Sequence, residues 1–306
     1  MKRVNFVDRR KRKVRPGTSP EVDNIMEDYR SLVLDEERAL YGLRSANVTD
    51  CRFEGPADGE SALKECSDLY VTKCDFRLRY PLWHARESRI INCTMAETCR
   101  APLWYDSNLL LRDCEIDGVK AVRECRNVTV EGGRAHSTEF GWRTEGLRIR
   151  NFDLTSEIYP FFMSSELEID ALKMTGKYAF QYVKNMTMRN SVLNTKDVFW
   201  HCENVTIVDS TINGEYLGWY SKNLKLIRCH IAGTQPFCYC DGLVLEDCTM
   251  ENCDLAFENS HVTATVKGHI DSVKNPLSGS IHADSIGEII LDEHLSSVAD
   301  CDIIQG

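Results

Sequence analysis

The amino-acid sequence predicts an all-β protein: a right-handed, single-stranded parallel β-helix, or solenoid, with coils of 19 to 21 residues and three short strands in each coil. Two observations carry this prediction. A short pattern recurs at nearly constant spacing from about residue 45 onward, and its apolar residues alternate with the period of two that is typical of strands. Right-handedness is expected because the hexapeptide rhythm of left-handed solenoids is absent.

Each repeat contains one small or apolar residue that we expect to face the inside of the coil. This small column consists of Cys74, Cys93, Cys114, Gly133, Phe152, Leu172, Ser191, Ser210, Cys229 and Cys248. Apolar residues lie three positions before and two positions after each member, for example Val71 and Phe76 around Cys74. Length varies at only one corner of the repeat, as expected for a solenoid whose stacked strands keep their register.

Many of the 14 cysteines fall at inward positions of this pattern. We expect six of them to stack inside the coils as buried, reduced thiols, because a free thiol behaves as a small apolar group. These are Cys51, Cys74, Cys93, Cys114, Cys229 and Cys248. A metal site at Cys238, Cys240, Cys248 and Cys253 is the alternative, but Cys238 and Cys240 fall in different columns. We therefore predict no metal site and no cofactor.

A second recurring position is rich in Asn and Gly, the residues that enter the left-handed backbone region most easily. It consists of Asn108, Asn127, Gly146, Asn185, Asn204, Asn223 and Gly242. We expect this column to form a sharp corner that is repeated on successive coils.

Charge divides the chain into an arm and a body. Residues 1–15 hold eight basic side chains and one acid, about +7, which leaves about −17 for the rest of a chain whose net charge is −10. We predict a disordered basic arm at residues 1–25, followed by one β-helix domain at 26–306. Within that domain, residues 26–66 form the N-terminal coils and cap, 67–260 the regular coils, and 261–306 the C-terminal coils and cap.

The same features bound the partners and the compartment. An acidic body repels nucleic acid, so nucleic-acid binding is expected only through the arm, Lys2–Arg15. No apolar run is long enough to cross a membrane, and the N-terminus lacks the apolar core of an export signal, so we expect a cytoplasmic protein without a membrane partner. The oligomeric state stays open.

An aromatic column recurs ten residues before each following member of the small column. It consists of Trp83, Trp104, Arg123, Trp142, Phe162, Gln181, Trp200, Trp219, Cys238 and Phe257. The residue before each member is apolar or Gly, which predicts that the aromatic column faces outward. A ladder of rings about 4.8 Å apart suits an oligosaccharide, and we select Trp142, Trp200, Trp219, Tyr220, Arg143 and Glu139 as candidate binding residues. The alternative is a phase shifted by one residue, which makes the Trp residues part of the core.

The strongest candidates for catalysis lie on the same face. Lys196, Asp197, His201 and Glu215 come from neighbouring coils. Two carboxylates could divide the acid and base roles of glycoside hydrolysis, or a Lys could abstract the proton in a polysaccharide lyase. The alternative is that these charged residues only solvate the surface of the solenoid.

Five segments resemble an uncharacterised bacterial family catalogued as domain of unknown function 3737. These are Glu37–Gly42, Gly59–Glu65, Tyr80–Trp83, His269–Pro276 and Ile286–Ile290, and the resemblance extends over roughly residues 27 to 295. The resemblance implies a β-helix of the pectin-lyase-like kind and supplies no catalytic residues. Two functions therefore stay open: binding or cleavage of an oligosaccharide on the aromatic face, and a noncatalytic structural or protein-interaction module.

Overall fold

The computed structural model describes residues 26–292 and 300–306, and the regular elements of this part of the chain are all β-strands. The strands stack in parallel as a β-solenoid of about 14 turns, which confirms the predicted parallel β-helix. Residues 1–25, where the basic arm was predicted, lie outside the described residues. Within the described residues no helix is long and apolar enough to cross a membrane.

The described part of the chain contains 24 strands. They are β1 Glu27–Arg30, β2 Val33–Leu34, β3 Arg44–Thr49, β4 Arg52–Phe53, β5 Ser67–Thr72, β6 Asp75–Phe76, β7 Leu82–Trp83, β8 Arg86–Ile91, β9 Thr94–Met95, β10 Leu103–Trp104, β11 Ser107–Ile116, β12 Arg126–His136, β13 Glu145–Ser156, β14 Ser165–Gly176, β15 Lys184–Arg189, β16 Val192–Asn194, β17 Glu203–Val208, β18 Thr211–Asn213, β19 Lys222–Ile227, β20 His230–Ala232, β21 Leu243–Glu251, β22 His261–Lys274, β23 Ser278–Ile290 and β24 Asp300–Gln305.

Each coil has three sides. The first side holds the longer strands, such as β5, β8, β15 and β17, and the second side holds short ones, such as β6, β9, β16 and β18. Long strands such as β13 and β14 continue from the first side around the corner into the second. The pairing is parallel and one coil apart, so that Leu111 lies between Ile90 and Val130. These three residues are at most 1% exposed, which places the predicted inward column in the core.

The third side departs from regular strand geometry in most coils. It holds only β7, β10 and isolated bridges in the described chain, and every second residue has positive φ, as at Phe161 (64°), Phe180 (56°) and Phe199 (60°). Backbone hydrogen bonds still join the coils there; the amide of Phe199 donates to the carbonyl of Ala179 at 3.0 Å. The buried rings stack, with 4.5 Å between the centroids of Phe161 and Phe180. We infer that ring stacking and inter-coil hydrogen bonds offset a backbone conformation that is unfavourable for bulky residues.

The cysteines stack at the corners and satisfy main-chain carbonyls. All six predicted thiols are free and buried, which confirms the prediction. The Sγ of Cys114 lies 3.4 Å from the carbonyl oxygens of both Ile90 and Arg112, at donor distance from each. Ser191 and Ser210 do the same in their coils, each donating at 2.8 Å to the carbonyl two residues earlier. The Cys and Ser members of the small column thus act as short donors to corner carbonyls, whereas Gly133, Phe152 and Leu172 of the same column have no side-chain donor.

The Asn column forms the predicted corner. Asn185, Asn204 and Asn223 have φ between 51° and 56°, in the left-handed region. Their side chains also pair: the amide of Asn204 donates to Asn185 at 3.1 Å, and that of Asn223 donates to Asn204 at 2.9 Å. This ladder ties the coils together beside the face that carries the candidate site.

Candidate functional site

The outward residues of the third side form three adjacent columns, which we call the aromatic face. The middle column carries the Trp residues; one flanking column, three residues earlier, includes Asp197 and Tyr216, and the other, one residue later, includes His201 and Tyr220. The residues just before the Trp column, such as Phe199 and Phe237, are 1% exposed. The Trp side chains themselves are half-buried at the surface. The predicted outward phase is therefore confirmed for the Trp residues. It is wrong for three other members of the aromatic column, because Gln181, Cys238 and Phe257 are 8%, 0% and 0% exposed.

The Trp rings connect neighbouring coils. The indole N–H groups of Trp142, Trp200 and Trp219 each donate to a backbone carbonyl of the next coil, at 2.6, 2.6 and 2.8 Å. Trp200 and Trp219 stack with 5.3 Å between centroids and 4° between planes. The ring faces turned toward each other are thus covered, and the polar atom is used within the protein. The Trp column offers mainly edges to a ligand.

The column after the Trp residues is more exposed. Tyr182, His201, Tyr220 and Tyr239 stack in four successive coils, with centroids 4.8, 5.0 and 4.8 Å apart and 8° between successive planes. We call these four residues the Tyr–His ladder. The three Tyr residues are 37% to 43% exposed. The hydroxyls of Tyr182 and Tyr220 make no hydrogen bond within the described chain, so both are free for a ligand. Of the four residues, the sequence placed only His201 and Tyr220 among its candidates, although the same spacing marks all of them.

The four candidate catalytic residues lie on this face but are engaged differently. Lys196 Nζ lies 3.1 Å from Glu215 Oε2, and both side chains are about half exposed. Asp197 is only 6% exposed, and burial raises the pKa of its carboxyl against the opposing effect of Lys196. His201 belongs to the Tyr–His ladder. The structure thus pairs Glu215 with Lys196 instead of presenting two unpaired carboxylates side by side.

The part of the aromatic face that lies N-terminal to the Tyr–His ladder contains a cluster of charged residues. Glu139 Oε2 lies 3.3 Å from Lys120 Nζ and 3.5 Å from Arg123 Nη1. The guanidinium of Arg123 also lies over the ring of Trp142, 5.1 Å from its centroid. Of the predicted binding residues in this part, Glu139 and Trp142 are therefore occupied by internal contacts. Arg143 is exposed and forms no ion pair with an acid of the described chain.

Two grooves were missed by the sequence analysis. One, of about 530 Å³, lies on the outer surface of the first side. The groove forms at Thr187 and Thr206, whose side chains are short. In the same outward column they lie between the longer side chains of Glu168 and Lys225. The other, of about 440 Å³, lies beside the aromatic face at Tyr105. The sequence could have indicated the first of these grooves only through the short side chains of Thr187 and Thr206. Such variation in side-chain length is common on protein surfaces.

The described residues contain no group of three or more His, Cys, Asp or Glu side chains able to hold a metal ion. Cys238 and Cys240 instead make contacts with backbone carbonyls, such as that from Cys240 Sγ to the carbonyl of Gly218 at 3.1 Å. These thiols are buried, and burial raises the pKa of Cys240 to about 11 and that of Cys238 to about 12. Such thiols stay protonated at neutral pH, whereas metal ligation needs thiolates.

Comparison with known proteins identifies the family and supplies no activity. No curated protein matches this chain. The A-module of the mannuronan C-5 epimerase AlgE6 of Azotobacter vinelandii is similar at 9% identity and a TM-score of 0.34, over 91% of this chain and 89% of the module. PfbA, a surface adhesin of Streptococcus pneumoniae, is similar at 9% identity and a TM-score of 0.30, over 79% of this chain and 76% of that one. Likeness at this level carries no argument about function. The profile described as "Protein of unknown function (DUF3737)" matches residues 27–304, and the chain belongs to this family.

Proposed function

We propose that this protein is a noncatalytic recognition module that binds an oligosaccharide along the Tyr–His ladder. The observation that carries the proposal is the regular exposure of this ladder, with rungs 4.8 to 5.0 Å apart on successive coils. A periodic row of similar aromatic rings suits a ligand that is itself extended and periodic.

The chemistry of the ladder favours a sugar. Because the rings stack on one another, they present edges and hydroxyls, and a phenol both donates and accepts hydrogen bonds. The free hydroxyls of Tyr182 and Tyr220 match the alternating donors and acceptors of sugar hydroxyls. His201 adds a ring nitrogen between them.

The acids of the face favour binding over cleavage. Glycoside hydrolysis requires two carboxyl groups on either side of the scissile bond, one of them ionised and free to act. Glu215 is held by Lys196 at 3.1 Å, and Asp197 is nearly buried. This arrangement stabilises the surface and leaves no open pair of carboxyl groups.

A glycan array followed by titration tests the proposal. Tyr182→Ala and Tyr220→Ala should each weaken binding of the selected glycan, by roughly 1 to 3 kcal/mol if these rings behave as interface anchors. Tyr70→Ala is the matched control, because Tyr70 is 41% exposed but lies on β5, away from the ladder. Prolonged incubation with product analysis should show an intact glycan. Equal binding by all three variants, or release of shorter products, contradicts the proposal.

A protein partner is the second candidate. The exposed strip continues from Tyr182 to Met163, which occupies the same column one coil earlier and is 45% exposed. Tyr and Met are both enriched in protein interfaces. Binding of no glycan on the array, together with loss of a protein complex in Tyr220→Ala, would favour this candidate.

A further inference from the structure

The groove beside Tyr105 is in line with the Tyr–His ladder. It has a volume of about 440 Å³, and its lining includes Tyr105, Asp106, Glu124, Arg126, Arg143 and Glu145. Tyr105, Glu124 and Arg143 occupy the ladder's own column in earlier coils, and Arg143 lies two coils before Tyr182. An oligosaccharide that follows the ladder toward the N-terminal coils therefore reaches this groove.

The charges that line the groove are paired with one exception. Glu124 Oε1 lies 3.4 Å from Arg123 Nε, and Glu145 Oε2 lies 3.6 Å from Arg126 Nε. Arg143 is exposed and pairs with no acid of the described chain. The groove thus presents one unmatched guanidinium, whose planar fork suits a carboxylate.

The floor of the groove does not oppose an anion. Asp106 is 1% exposed; its Oδ1 accepts a hydrogen bond from the amide of Ala85 at 2.7 Å, and its Oδ2 has no partner in the described chain. Burial raises the pKa of this carboxyl well above its usual range. Burial with one unpartnered oxygen favours the protonated, uncharged form of Asp106, so this carboxyl opposes an anion less than an exposed one would.

We propose that this groove binds the carboxylate of a hexuronic acid unit in the oligosaccharide, with Arg143 as its charged partner. This inference rests on the proposed function and names its ligand class: the glycan is acidic. The chain as a whole carries a net charge of −10, which repels an acidic sugar. A local cation is therefore required to hold such a sugar.

The test compares two ligands that differ only in charge. The dissociation constant is measured for a hexuronate hexasaccharide and for the same hexasaccharide with its carboxyl groups reduced to alcohols. We expect the acidic ligand to bind about tenfold more tightly, and this preference to shrink as salt concentration rises. In Arg143→Gln the ratio of the two constants should fall to near one. Arg143→Lys should fall between the two, because it keeps the charge without the fork.

Arg148→Gln is the matched control. Arg148 lies on β13, where it pairs with Glu168 at 3.2 Å, and its loss should leave the preference intact. Circular dichroism of each variant checks the fold. If wild type binds both hexasaccharides equally, or if Arg143→Gln keeps the preference, the carboxylate site is wrong while oligosaccharide binding stands. If neither ligand binds, the carboxylate site is wrong, and the glycan array then decides the proposed function by itself.

Discussion

Replacing Trp200 by Ala should destabilise the fold far more than replacing its exposed neighbour Tyr220. Truncating a fully buried aromatic residue costs about 3 to 5 kcal/mol, and a half-buried one about half of that. Trp200 also loses the hydrogen bond to the Tyr216 carbonyl at 2.6 Å, which adds about 1 kcal/mol. The lost stack on Trp219 adds about 0.5 to 1 kcal/mol. The expected total is about 3 to 4.5 kcal/mol, against about 1 kcal/mol for Tyr220→Ala. The smaller loss is expected because Tyr220 is already 43% exposed.

The assay is urea unfolding at 25 °C, followed by circular dichroism in the strand region. The dependence of the free energy of unfolding on urea must stay constant across variants, because long repeat proteins can lose cooperativity. Trp200→Phe keeps one ring for the stack but removes the hydrogen bond and part of the packed ring surface, so it should cost about 1 to 2 kcal/mol. A loss below about 1 kcal/mol in Trp200→Ala, or an equal loss in Tyr220→Ala, would refute the assignment of Trp200 to structure and of Tyr220 to binding.

Three further predictions concern thiols, a buried acid and the N-terminal arm. A thiol reagent should modify Cys301 rapidly and the other thirteen cysteines only on unfolding, since Cys301 alone is not fully buried; rapid reaction of several thiols would contradict the stacked corner. Asp106 has a raised pKa in the fold, so the native state holds this proton more tightly and stability falls as pH rises above the unfolded value of about 3.9. Asp106→Asn should remove this loss, so its stability relative to wild type should rise as the pH increases above about 4 in parallel melts; a constant difference would show that Asp106 does not titrate as inferred. Deleting residues 1–25 should leave the melting temperature within a few degrees, because β1 begins at Glu27 and the core residues follow it; a large drop would show that the arm contributes to the fold.

The inward columns could be predicted because their chemistry is local and repeated. Cys114 is small and able to donate, and its thiol lies near a carbonyl of its own coil and one of the preceding coil. Asn204 lies at positive φ, which Asn and Gly adopt at the least cost. One coil supplies little evidence for either column, but ten coils with the same spacing supply enough to decide which residues face inward and which face outward. The aromatic face followed from that phase.

The hydrogen bonds and ion pairs of each side chain on that face could not be predicted from the phase, because they depend on contacts between coils. Spacing alone marks Trp200 and Tyr220 alike, yet Trp200 donates to the next coil while the Tyr220 hydroxyl stays free. The pair of Lys196 and Glu215 is likewise a contact across coils. Such contacts are set by side-chain direction and by the exact turn geometry, which a list of residue types does not contain.

The repeat, the inward columns and the corners could be predicted from residue type and spacing. Backbone hydrogen bonding and burial act on every coil in the same way, so the same residue types recur. The covered faces of the Trp rings, the free edges of the Tyr–His ladder and the unpaired guanidinium of Arg143 arose only when the coils were stacked. Each of these depends on which neighbour a side chain meets about 4.8 Å away along the axis, and that neighbour is some twenty residues distant in the sequence.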